Sequence, residues 1–442
     1  QRVADRFLIV DHEDLGHGGC ACALFVSACV SAGSGRFLAG RQRWLVGTNA
    51  GLGTGQLVRE RASIAWASSE QDLADPLRTM TLIIRTVLFF GSLLPFALLA
   101  QQVGENDTTF NVGDVGFGEG LGPNGKVTAV VLQPDGKAII GGSFTRYNSR
   151  ACNGIARLNP DGSLDSTFTT GTAFGSNPVP VVETLALQPD GKILAGGNFL
   201  YYAALPAPRI IRLNVDGSRD TTFSTGTGFD DVVHELAVQP DGRILAAGAF
   251  AMYNGTPRSF AARLDTDGSL DPSFDPGALF TDVALCVLVQ PDGKVLVGGE
   301  FYLNGRHLMR LESNGVPDPL FTGPSFSNGW VSDVALQSDG RTVVTGSFQS
   351  AFPTIRSIMR LEADGARDTS FHTGLGLGVY GLANGSSAER VLIQADGKIL
   401  LVGAFTAYDE QYNGHMIRLN ADGTPDPSLQ LGGGFSNDLH GC

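Results

Sequence analysis

The chain has 442 residues, a formal net charge of -13 at pH 7, 43% hydrophobic residues, 59 Gly and 21 Pro. That apolar content excludes a disordered chain, and the Gly and Pro content suits a turn-rich β protein. The carboxylate excess lies wholly in residues 101–442, because residues 1–100 hold nine Arg, no Lys and eight carboxylates; a surface of that sign repels phosphate backbones and argues against a nucleic-acid partner.

Residues 1–79 contain no Met, no Lys and two of the three Trp, and their hydrophobic periodicity is poor. They read as a non-native upstream segment, disordered or poorly structured, with Met80 the true start. Cys20, Cys22 and Cys29 have no His or Cys at a spacing that completes a metal site. Residues 80–100 have the shape of a secretory signal peptide: Arg85 is the basic flank, Val87–Leu99 the apolar run and Ala100 the small residue at the cleavage point. Thirteen apolar residues fall short of the roughly 20 that cross a bilayer as a helix. The mature chain is therefore expected to begin near Gln101, to be secreted or displayed at the cell surface, and to have no membrane span.

From there the sequence repeats. "LQPDGKAIIGGSF" at 132–144 returns as "LQPDGKILAGGNF" at 187–199, and the first turn of each unit falls at Asp135, Asp190, Asp241, Asp292, Asp339 and Asp396, a period near 51. A second turn follows in each unit, from "RLNPDGSLDSTF" at Arg157 to "RLNADGTPDPSL" at Arg418. Pro sets one backbone angle, Gly supplies a positive φ and Asp bonds its own backbone, so each turn closes a hairpin. Alternation in "ETLALQ", with Leu185 and Leu187 on one face, marks the flanking stretches as strands. Each unit is expected to hold four short strands, and six such units (near 127–180, 181–230, 231–280, 281–328, 329–385 and 386–430) make an all-β propeller of six or seven blades over 101–430. Residues 431–442 are left as a C-terminal tail. A tail-like "NDTTFN" around Asp107–Phe110 precedes the first unit and either closes the ring on the last blade or marks an array cut short. Gly141, Gly196 and Gly298 are expected to let neighbouring sheets approach closely.

The pattern "LQPDGK(I/V)L(V/A)GG.F", a variable loop, then "RL..DGS.D..F" resembles the delta-60 repeat family of exported bacterial proteins, in all six units. The resemblance implies a β-propeller and export; it implies no activity, since that family has no established chemistry. The fourth unit departs from it with the short "YLNGRH" and Asn314 in its second turn, and the last unit ends in Leu429 where the others place Phe.

What recurs in every unit reads as scaffold. Arg157, Arg212, Arg263, Arg310, Arg360 and Arg418 sit mid-strand among apolar neighbours and need a partner. Asp165, Asp220, Asp271, Asp318, Asp368 and Asp426 are the natural candidates; a ring of six Arg around an anion is the alternative. Asp265, Asp267 and Asp271 in "DTDGSLD", like the corresponding residues of "NADGTPD", resemble a calcium loop. The ligand alternation is incomplete, however, and no Glu follows in register. Blade-unique candidates are His234 with Glu235, Glu300, His307, His372 and His415. Tyr147, Tyr201, Tyr202, Tyr253, Tyr302 and Tyr408 have rings suited to stacking on sugars or peptides, with packing as the bland alternative. Cys286, within "VALCVLV", reads as a core residue. No catalytic, cofactor-binding or metal residue is assigned. The expected function is an exported, non-catalytic binding or structural module with an unknown glycan, peptide or protein ligand; the alternative is a propeller hydrolase or lyase acting at the central channel.

Overall fold

Each Pro-Asp-Gly turn does locally what its residues require. Asp135 Oδ1 accepts the Lys137 N–H at 3.2 Å, Gly136 takes φ +84°, and its N–H closes the turn on Gln133 O at 2.9 Å. The strands so joined form six antiparallel three-stranded sheets, one per repeat. In this computed structural model the described residues are 110–111, 122–175, 180–350, 356–379 and 386–429. The upstream segment, the signal peptide and the tail 431–442 lie outside them.

The inner strands are Val127–Leu132, Val181–Leu187, Val233–Val238, Ala284–Val289, Phe326–Leu336 and Arg390–Ile393. Inner strands of successive sheets pack on one another, which places them around a common axis. Each pairs with a middle strand, as Val233–Val238 does with Ile244–Gly248, and each middle strand pairs with an outer strand such as Ala261–Leu264. Among the described residues the expected fourth strand is not formed. After the second turn pairing shrinks to one bridge, for example Leu264↔Leu270, because Asp271 Oδ1 takes the Ser273 N–H at 2.8 Å and bends the chain into a further turn. The segment between the middle and outer strands, a variable loop in sequence, forms a hairpin. Its two turn residues both have positive φ, as at Asn254 and Gly255 or Ala203 and Ala204, which is the geometry that matches strand twist.

The core lies between the sheets. Leu194 and Ile210 of blade 2 cluster with Val233 and Leu236 of blade 3, and Leu245 and Ala247 of blade 3 with Ala284 and Val287 of blade 4. Close approach needs a small residue opposite each Val: a Cβ added to Gly196 would lie 2.8 Å from Val233, and one added to Gly298 would lie 2.6 Å from Val331. Where the facing residue shrinks to Ala284, Ala247 replaces the Gly. Total volume across the seam is thus held nearly constant.

Candidate functional site

The six recurrent Arg residues are scaffold. All are buried, and in every blade the guanidinium Nε donates to Oδ2 of the Asp eight residues on, at 2.6–2.8 Å. The same Asp oxygen also meets a cation from the residue just before the middle strand, such as Lys192 on Asp220 at 3.0 Å. Burial alone would raise the Asp220 carboxyl, but hydrogen bonds from Thr222, Lys192 and Arg212 outweigh it and hold the group well below the usual range. The Arg212 guanidinium also lies 4.7 Å from the Phe223 ring centroid and donates to Thr266 O in the next blade. From Arg157 to Arg360 the guanidinium is thus engaged on both its edge and its face, whereas Arg418 makes neither the stacking nor a next-blade carbonyl bond among the described residues.

The calcium-like loop is likewise engaged by proton donors. Asp267 Oδ1 accepts the N–H and Oγ–H of Ser269, Asp271 accepts Arg263, and Asp265 accepts Arg243 Nε at 3.2 Å. The three carboxylates serve three different donors. The tyrosines divide. Tyr147, Tyr202, Tyr253 and Tyr408 are buried, each donating its hydroxyl to the second-turn Gly carbonyl of its own blade at 2.5–2.7 Å, so packing is their role. Tyr201 and Tyr302 stay 47% and 57% exposed on their hairpins, with Tyr412 at 57% beside them in kind.

The remaining singular residues scatter. Glu300 is exposed; His307 is buried between Tyr302 and Phe326, with ring centroids at 5.2 and 5.8 Å. His372 is exposed with its backbone N–H on Asp422 O, and His415 is buried with Nδ1 3.3 Å from Gly403 O. Cys286 is fully buried.

His234 and Glu235, by contrast, lie on an inner strand, where they meet residues the sequence reading passed over. The position six before each first-turn Asp reads Ala129, Thr184, Glu235, Cys286, Asp333 and Arg390 around the axis. Three of these side chains stitch one blade to the next: Leu236 N–H donates to Thr184 Oγ1 at 3.3 Å, Val287 N–H to Glu235 Oε2 at 2.8 Å, and Val391 N–H to Asp333 Oδ2 at 3.0 Å. Glu235 and Asp333 are 6% and 2% exposed, so these carboxylates act as interblade braces. The residue just before, Glu183 or His234, sits at a β-bulge in the inner strand. Bulges re-aim side chains. Burial raises the Glu183 carboxyl, with Arg390 and Lys126 opposing; burial and the Arg390 charge lower His234. The Arg390 charge of blade 6 thus bears on groups of blades 2 and 3 at once. An alignment of the six repeats by turn position is the signal that would have found these residues.

Among the described residues no helix is long and apolar enough to cross a membrane. Comparison with known proteins agrees with the architecture. A search of curated proteins finds no match. Among solved structures, the extracellular domain of a putative hybrid two component system from B. thetaiotaomicron is similar at 13% identity and TM-score 0.40, over 66% of this chain and 33% of that one. The chain therefore spans about a third of that relative. A gluconolactonase from Xanthomonas campestris is similar at 18% identity and TM-score 0.28, over 50% of this chain and 69% of that one. A calcium-binding protein, regucalcin, from Agrobacterium tumefaciens is similar at 13% identity and TM-score 0.36, over 64% and 87%. Likeness at these scores says nothing of chemistry. Six stretches, residues 133–168, 188–223, 239–274, 290–321, 337–371 and 394–429, match the model of a β-propeller domain of unknown function (DUF5122), so the repeats are β-propeller repeats in the setting the sequence resemblance implied.

Proposed function

We propose that residues 101–442 are an exported, non-catalytic β-propeller that binds an extracellular glycan, peptide or protein through the rim formed by its hairpins. One observation carries this reading. Four hairpins are pinned by a buried Tyr hydroxyl on a Gly carbonyl, and in blades 1 to 3 the exposed position just before that Tyr varies as Arg146, Tyr201 and Met252. A fixed frame that presents different side chains is what a recognition surface requires. Exposed Tyr201, Tyr302 and Tyr412 supply rings for stacking, and Leu205 and Met252 supply apolar contact. Export rests on the shape of residues 80–100.

Screening the purified chain on glycan and peptide arrays tests the reading, with Tyr201→Ala and Tyr302→Ala combined expected to weaken the best hit about tenfold while the unfolding midpoint holds. Binding that survives both changes and all other hairpin substitutions refutes it. The second reading, a hydrolase or lyase at the channel, is favoured by the half-buried Glu183 and His234 set around Arg390. Turnover of any hydrolase or lyase substrate, lost in His234→Gln, would establish that reading in place of the first.

A further inference from the structure

The hairpin of blade 4 is held differently from its counterparts. Three residues after Phe144, Phe199, Phe250 and Phe405 stand Tyr147, Tyr202, Tyr253 and Tyr408, whose hydroxyls pin four hairpins to a Gly carbonyl. Three residues after Phe301 stands Asn304, a turn residue with φ +52°, so the shorter hairpin has no Tyr in that place.

Contacts with the chain that enters blade 5 hold it instead. Phe326 N–H donates to Gly305 O at 2.9 Å, and Arg306 Nη1 donates to Phe321 O at 3.4 Å. Tyr302, His307, Phe326 and Phe348 form one row of rings, with successive centroids 5.2, 5.8 and 4.8 Å apart. Tyr302, at the end of the row, is 57% exposed, whereas His307 next to it is 4% exposed.

Strand register shows what sets His307 apart. The residue just before the outer-strand partner of Gly141, Gly196, Ala247, Gly298, Thr345 and Val402 is Gly154, Arg209, Phe260, His307, Ser357 and His415 in turn. The other polar side chains at this place are bonded: Arg209 donates to Asn198, Ser357 Oγ donates to Ser386 O at 2.9 Å, and His415 Nδ1 lies 3.3 Å from Gly403 O. His307 has a hydrogen bond on neither ring nitrogen, and both nitrogens are shielded from water. It fills its place as a ring, as the partly buried Phe260 does in blade 3.

A ring so placed suits only the neutral form, because a charged imidazole there would have neither water nor a bonded partner. Burial accordingly lowers the His307 pKa, with the backbone of Phe301 and Glu300 opposing. The ionisable groups on the elements around it are few. Val295–Leu303 has Glu300 and Tyr302; Arg306–Leu311 has Arg306 and Arg310, the latter paired with Asp318. Phe326–Leu336 has only Asp333, which accepts the Val334 and Val391 amides, and Thr342–Ser350 has none. An opened hairpin exposes the ring to water, where it takes a proton near the ordinary value of about 6.5. Closure is therefore favoured in full above that value and loses ground as pH falls below it, until the closed form is protonated too.

We propose that His307 is a pH-sensitive latch: its protonation releases the blade 4 hairpin from Phe326 and takes Tyr302 out of the row of rings. Tyr302 lies on the rim, so acid reshapes that surface at one blade; the latch itself does not depend on what the rim binds.

Hydrogen exchange on the full chain at about pH 8 and about pH 5, either side of the ordinary His value, tests this. Both conditions lie above the window in which the depressed Asp318 carboxyl titrates. The protection factor of the Phe326 amide should fall about tenfold at the lower pH. The Asn254 amide, which donates to Gly228 O at 2.8 Å in the Tyr253-pinned hairpin of blade 3, should keep its protection. In His307→Phe, which copies Phe260, and in His307→Gln, which cannot titrate, Phe326 should be equally protected at both pH values. A Phe326 protection factor that does not change in the unsubstituted chain, one that falls together with that of Asn254, or a fall that persists in both variants overturns the proposal.

Discussion

Arg212 and Arg418 occupy the same place in blades 2 and 6, make the same ion pair eight residues on, and differ in what lies beyond. Arg212 has the Phe223 ring beneath it and a carbonyl of the next blade in front of it; Arg418 is followed by Leu429, with no ring stacked on it and no such carbonyl among the described residues. The pair itself is therefore a property of one blade, closed within a dozen residues of chain. The stacking and the carbonyl bond are properties of the seam. Charge burial within a blade and cohesion between blades share one side chain, and mutation separates them.

The largest effect is expected at the pair. Arg212→Met strands the buried Asp220 carboxylate and should cost about 3 to 5 kcal/mol, whereas Arg212→Met with Asp220→Asn should cost less than the two single changes added. Arg418→Met should cost less than Arg212→Met by the seam contacts it never makes. Denaturant unfolding of the four variants measures this, and equal costs for the two Arg changes would show that the seam adds nothing.

Next comes seam volume. Gly196→Ala places a methyl 2.8 Å from Val233 and should cost about 1 to 3 kcal/mol, and Val233→Ala in the same chain should recover part of it. Additive losses in calorimetry would show that the two residues do not compete for one space.

Acid should loosen all blades together. The Asp318 carboxyl is held down to about 2 by hydrogen bonds from Lys294, Leu320 and Arg310, against the opposing effect of burial. A depressed carboxyl contributes stability in full above its unfolded value near 3.9 and loses it as pH falls through the folded value, so stability should drop between about pH 4 and pH 2. Circular dichroism against pH should show that fall, and in Asp318→Asn a shallower one.

The smallest effect lies in a hairpin. Ala203 and Ala204 both adopt positive φ, a conformation that Asn-Gly takes without strain, as at Asn254 and Gly255. Ala203→Asn with Ala204→Gly should stabilise the chain by about 0.5 to 1 kcal/mol, read as a raised midpoint.

The blades are legible in the sequence. Turn chemistry at Asp135 and its five repeats, and an Arg with an Asp eight residues on, are local or periodic, and a motif written six times announces them. Stacking and packing were both open for the tyrosines from sequence: Tyr147, Tyr202, Tyr253 and Tyr408 recur because each pins its own hairpin, and only burial separates them from Tyr201 and Tyr302. The fourth strand was lost to an Asp side chain that outcompetes ladder pairing, a contest that strand propensity does not register. Tertiary structure alone decided the axis. Glu183, His234, Asp333 and Arg390 are far apart in the chain and different in every blade, so no motif joins them; packing of inner strand on inner strand brings the Arg390 charge to bear on Glu183 and His234 and sets the Asp333 carboxylate on the Val391 amide.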